Sequence, residues 1–150
     1  MKKYIQLALP TLAILSGCTS LQEKEQKEFE ETMARMNQVC TSCSTVYTDI
    51  VKLKVDQCEI TPMVAFNESK ESPVVLSMLG LYSMNPIGYK AYLLASERTI
   101  NCSNEQKWAD DISDFLSTKV FKDYYLELMK EEHLTNYDTE DKEQLHEQTL

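Results

Sequence analysis

Glycine is nearly missing from this chain, which has three in 150 residues: Gly17, Gly80 and Gly88. A phosphate-cradling loop, a dinucleotide-binding turn or a strained nucleophile elbow needs glycines clustered where the backbone must approach a ligand closely. Three separated glycines cannot build one, so nucleotide-dependent chemistry is excluded and neither a nucleotide nor another cofactor is expected. Histidine is scarcer still. His133 and His146 are the only two, and neither has a partner at a spacing that closes a metal site, so no metal is expected. Their acidic neighbours Glu131, Glu132 and Glu143 belong to a charged run, whereas acid–base pairs need pKa values set apart by burial. No catalytic residue is expected. Positive charge is also short, with 15 basic against 24 acidic residues and a net charge of −9 at pH 7. Such a surface repels nucleic-acid phosphates and anionic lipid headgroups and favours a basic protein as partner.

What is present begins with Met1-Lys2-Lys3, an uncharged run from Tyr4 to Leu15, and then Ser16-Gly17-Cys18. A basic start, about a dozen apolar residues and small residues at the end have the order of a secretory signal, too short for a stable membrane span. Leu15-Ser16-Gly17-Cys18 resembles the lipobox of bacterial lipoproteins, a resemblance confined to residues 1 to about 20. It implies that Cys18 receives a diacylglycerol, that residues 1–17 are removed, and that the new amino group is acylated. More than one acyl chain is what stable membrane anchoring requires. In that family an aspartate after the cysteine retains the protein at the inner membrane. Thr19 stands here, so the resemblance implies the outer membrane, facing the periplasm. Loss of residues 1–17 would leave 133 residues with 13 basic and 24 acidic side chains, a net charge of about −11. That length is one domain's worth.

With Cys18 lipidated, Cys40, Cys43, Cys58 and Cys102 remain, an even number for a compartment that oxidises thiols. Two disulfides are expected, with three connectivities open. If residues 29–55 form one helix, Cys40 and Cys58 lie about 27 Å apart at ~1.5 Å per residue. Bridged Cα atoms lie within roughly 7 Å, so Cys58 would then need Cys102, unless the helix breaks. Cys40-Thr41-Ser42-Cys43 has the C-x-x-C spacing of a redox dithiol. Redox pairs of that kind open a helix after a strand, and this pair sits within a helical stripe, so a structural cystine is the favoured reading and thiol–disulfide exchange the alternative.

The pattern predicts a mostly α fold, a small disulfide-bonded bundle of about four helices. Residues 18–28 read as a lipidated polar tether, 29–134 as the helical domain and 135–150 as a polar, frayed or disordered tail. From Phe29, apolar residues recur at Met33, Met36, Cys40, Cys43, Tyr47 and Ile50, spaced three and four apart as on one helical face. Residues 45–56 also partly alternate, and a short β segment there is the competing reading. Residues 56–72 read as a loop. Ser72-Pro73 and Asn85-Pro86 each pair a capping side chain with a first-turn proline, predicting two consecutive helices. The first, over 74–84, is apolar nearly all round, so it is either buried or covers an exposed site. Ser103-Asn104-Glu105-Gln106 fits a capping box before a last helical stretch with a break at Ser117-Thr118.

The expected role is that of a lipid-anchored interaction protein that binds or escorts another envelope protein. In size, anchor and composition alone the chain resembles the pilotins of secretion systems, which bind a helix of the secretin subunit in a groove. An acidic inhibitor or immunity lipoprotein that neutralises a basic toxin or hydrolase is the alternative. The candidate partner-binding surface gathers Leu79, Tyr82, Tyr89, Tyr92, Tyr124 and Tyr125, since tyrosine offers contact area with little entropy loss and a polar tip.

Overall fold

The computed structural model describes the backbone of residues 13–147 and the side chains of 21–133. Cys18 and the signal segment therefore lie outside the described side chains, as does His146. Among the described residues the fold is all helical, with seven helices and no strand: α1 (Ala13–Val39), α2 (Thr41–Cys58), α3 (Pro62–Ser69), α4 (Pro73–Met84), α5 (Pro86–Thr99), α6 (Glu105–Leu116) and α7 (Lys119–Glu147). The mostly α reading holds; the count of about four does not, because the first stripe divides at Cys40, a helix forms within the segment read as a loop, and the last stretch divides at the expected Ser117–Thr118 break.

The first division is at Cys40. Spacing of three and four continues across it, yet Cys40 is extended, with φ −153° and ψ 93°, and the helix restarts as α2. The following Thr41, Ser42, Ser44 and Thr45 are weak helix formers whose hydroxyls compete for backbone partners. Ser44 donates instead across the corner to the Met33 carbonyl at 3.1 Å. The second correction is α3, which forms inside the segment read as a loop. Pro62 opens it with no amide to waste, and Ala65 and Phe66 bury against α1 and α2. Third, the capping box is displaced by one residue: Asn104, not Ser103, caps α6, accepting from the Lys107 amide at 2.8 Å.

No β segment forms over 45–56, which is α2 throughout. Every third or fourth residue there, Val46, Ile50, Val51 and Lys54, is buried, so helical burial outweighs the β-branched composition. The backbone is helical through both polar stretches, with α1 running through 18–28 and α7 through 135–147. Both stretches lack glycine and proline, and pairs such as Gln26–Glu30 at 2.8 Å support the helix from its own surface.

Asn85 alone connects α4 to α5, its Oδ1 accepting from the Gly88 amide at 2.8 Å. A Cβ on Gly88 would lie 2.9 Å from that same Asn85 side chain, so glycine is what leaves room for the cap. The αL conformation of Glu59, φ 54°, ends α2.

Two apolar clusters flank α2. On one side Val46 and Ile50 meet Val74, Val75 and Met78 of α4, Tyr89 and Ala95 of α5, and Trp108 and Ile112 of α6. On the other, Val51 meets Phe29, Met33, Ala65 and Phe66. The Trp108 indole, fully buried, donates to the Ser96 carbonyl at 3.0 Å and locks α6 to α5.

Where the clusters end, Lys54 continues the Val46–Ile50 row with only 1% of its surface exposed. Its ammonium is paired with Glu105 of α6 and, at 3.2 Å, with Glu68 of α3. Ser72, at the start of α4, gives its hydroxyl to Glu105 at 2.5 Å rather than capping its own helix. Four elements thus converge on one cation. Removing one partner of a buried pair costs about 3 to 5 kcal/mol; both glutamates keep some water, so Lys54→Met is expected to cost about 2 to 3 kcal/mol in urea unfolding. Glu105→Gln combined with it should cost less than the sum of the two single changes, and strict additivity would mean that the pair carries no coupling.

Candidate functional site

The six residues of the sequence-derived partner surface differ widely in exposure. Tyr89 is 8% exposed and belongs to the core, its ring edge-on to Tyr82 with centroids 5.2 Å apart. Its side chain is therefore spent within the bundle, among Val46 and Ile50 of α2 and Val74, Val75 and Met78 of α4. Leu79, Tyr82 and Tyr92 are half-buried against the same cluster. Tyr125 packs on Phe121, centroids 6.1 Å apart, and Tyr124 alone is exposed, on α7.

The Tyr89 hydroxyl donates to Asp49 at 2.5 Å. Burial, then the hydrogen bond and charge of Asp49, push its pKa far above the usual phenol value. Burial also raises Tyr47 and Tyr92, in the latter against a lowering hydrogen bond from Ser77. A raised tyrosine pKa means that the unfolded state loses the proton first. The stability involved is complete below about pH 10 and falls as pH rises beyond it. Alkaline titration read by tyrosinate absorbance and helical circular dichroism should therefore show Tyr89 ionising only as the helices melt. Tyr89→Phe should lose about 1 to 2 kcal/mol at pH 7 but show a flatter decline above pH 10; an unchanged slope would contradict the assignment.

The residues that do form an exposed apolar face lie on α4. Its twelve residues carry no charge, and one side is spent on the core. On the other, Leu76 is 63% and Met84 85% exposed, with Gly80 between them and Ser77 and Ser83 alongside. A Cβ on Gly80 would meet nothing within 4 Å. Leu76, Gly80 and Met84 are spaced i, i+4 and i+8, a straight row with a flat centre. Covering the exposed parts of Leu76 and Met84 would contribute about 2 to 4 kcal/mol, at roughly 1.5 to 3 per fully buried side chain. The sequence marked the stretch as apolar all round; the missing signal was which side faces out.

Four cysteines form two bridges. Cys58 at the end of α2 joins Cys102 in the α5–α6 connection, Cα atoms 5.5 Å apart and 44 residues apart in sequence. Cys40 joins Cys43, Cα atoms 5.2 Å apart. The first closes a long loop, with about 4 kcal/mol of chain entropy, and the second a short one, with about 2 kcal/mol. Cys40–Cys43 does not sit mid-helix, as its place in the stripe suggested, but opens α2. Cys40 is the N-cap, and its sulfur accepts from the Cys43 amide at 3.2 Å.

Among the described residues there is no cluster of three or more potential metal ligands, and no helix is long and apolar enough to cross a membrane. No family model, curated protein or solved structure matches the chain.

Proposed function

We propose that the chain is a lipid-anchored interaction protein of the bacterial outer membrane, attached through acyl chains on Cys18 and facing the periplasm, which docks an apolar helix of another envelope protein on the Leu76–Gly80–Met84 face of α4. The lipobox-like Leu15-Ser16-Gly17-Cys18 supports the anchor. The observation that carries the docking is a charge-free exposed row on a chain whose net charge is −9. A bare glycine between two large side chains lets a partner backbone come close, and basic residues on the partner would be drawn to a chain of net negative charge. Contact through an apolar row sets this reading apart from an inhibitor held by charge, whose binding would collapse with salt.

Gly80→Glu separates docking from folding. With nothing within 4 Å of the new Cβ and a better helix former in place, the helical signal and melting temperature should be unchanged or higher. Recovery of a stoichiometric partner from envelope membranes by the full chain should fall at least tenfold. Equal recovery by both proteins, or elution by salt alone, would refute docking on α4. The anchor has its own test: labelled palmitate should enter the wild-type chain and not Cys18→Ser, which should leave the membrane fraction.

A further inference from the structure

The two bridges differ in more than loop length. Cys58–Cys102 ties the closed end of α2, where Glu59 turns the chain away, to a distant connection. Cys40–Cys43 spans a single corner and holds no two remote parts of the chain together. Cys40 lies outside the helix proper, preceded by Val39, which is 87% exposed. Its sulfur receives the Cys43 amide, and the Ser42 hydroxyl stands 3.4 Å away. No acidic residue occupies the first turn of α2 to oppose a negative charge there. Beside the corner runs a shallow groove of about 370 Å³ between α1 and α2, lined by Asn37, Ser44, Thr45, Thr48 and Asp49 among others. The Ser44, Thr45 and Thr48 hydroxyls spend their hydrogens on the carbonyls of Met33, Thr41 and Ser44, so toward the groove they present acceptors. A peptide backbone offers the matching N–H groups.

We propose that Cys40–Cys43 is an exchangeable disulfide that oxidises the dithiol of a cysteine-bearing peptide segment seated against the α1–α2 groove, with Cys40 forming the mixed disulfide. The first substrate thiolate attacks Cys40 Sγ. A substrate–Cys40 bond forms, the Cys40–Cys43 bond breaks, and Cys43 leaves as a thiolate that takes a proton from solvent. The second substrate thiolate then attacks the first substrate sulfur. The substrate disulfide forms, the mixed disulfide breaks, and Cys40 leaves as a thiolate at the open end of α2. Two electrons pass from substrate to protein, the substrate dithiol is oxidised and the protein disulfide reduced. The amide of Cys43 and the positive end of the α2 dipole favour Cys40 as the leaving thiolate. A thiolate stabilised in this way is the better leaving group in the second step, so the mixed disulfide resolves toward oxidised substrate and free Cys40. The helix on the upstream side is no obstacle, since what the chemistry needs is the N-terminal end of α2, and the corner at Cys40 supplies it.

The test equilibrates the full chain with reduced and oxidised glutathione at graded ratios, traps free thiols by alkylation and maps them by peptide mass. Cys40–Cys43 should open at a ratio at least a hundredfold less reducing than the one that opens Cys58–Cys102. Opening of both bridges together, or of Cys58–Cys102 first, would overturn the proposal without recourse to any variant. Single-cysteine variants then assign the sulfur: Cys43→Ser should collect a glutathione adduct on Cys40 at least tenfold faster than Cys40→Ser collects one on Cys43. Equal rates would overturn the role given to Cys40. The exchange is independent of docking on α4, since Gly80→Glu should leave the glutathione ratio unchanged.

Discussion

A lysine ammonium that water cannot reach is the constraint on which this arrangement of helices depends. Taking such an ion out of water costs several kcal/mol, and only well-placed opposite charge repays it. Lys54 meets that condition only when Glu68 of α3 and Glu105 of α6 both reach its ammonium. Sliding α3 or α6 by one turn would take one of its two carboxylates from the buried cation, a larger loss than a shifted apolar contact. The apolar clusters tolerate small rearrangements because dispersion and burial are not directional; the ion pair does not. The cluster thus acts less as a source of net stability than as a selector of one packing among several of similar burial. Ser72 shows the ranking, since it leaves its own helix uncapped to serve Glu105.

How much of this was legible in the sequence follows from the range of each interaction. Helical class was legible because periodicity records which side of a segment is wet, and the proline starts at Pro73 and Pro86 mark real helix beginnings. The corner at Cys40 was legible only as a weakness, in the poor helix formers Thr41, Ser42, Ser44 and Thr45, because apolar residues spaced three and four apart fit one long helix and two packed ones equally well. The choice between them is made by contacts such as Ser44 to Met33, which no local pattern encodes. Folding of α3 was hidden for the same reason. Eight residues make a marginal helix alone, and it is the burial of Ala65 and Phe66 between α1 and α2 that holds it. Burial of Lys54 has no local signal of its own beyond its register with Val46 and Ile50, because a lysine is buried only where distant carboxylates meet it.

The cysteines illustrate how topology turns identical residues to different uses. Both ends of α2 carry one, and the two ends of a helix are not chemically alike. At the C-terminal end the orphan groups are carbonyls, which repel a thiolate, and Cys58 there is tied to a residue 44 positions on. At the N-terminal end they are amides, which attract one, and Cys40 is tied to its own first turn. The cross-link that holds the domain together therefore sits where thiolate chemistry is disfavoured. The proposed exchange site sits where it is favoured.

The two described glycines separate what the fold requires from what it leaves open. Gly88 is explained by its neighbours, since any side chain would press on the Asn85 cap that starts α5. Gly80 has no such explanation among the described residues. It lies in mid-helix, where glycine costs about 1 kcal/mol relative to alanine, and nothing approaches it closely enough to demand a missing side chain. Leu76 and Met84 on either side are likewise more exposed than α4 needs, since Val74, Val75 and Met78 already supply its contact with the core. A helix optimised only for this bundle would carry alanine at 80 and charge at 76 and 84. That all three positions depart from that optimum along one straight row, on an otherwise strongly acidic chain, is the physical reason to look for the determinant of the α4 face outside the fold, in a surface that packs against it.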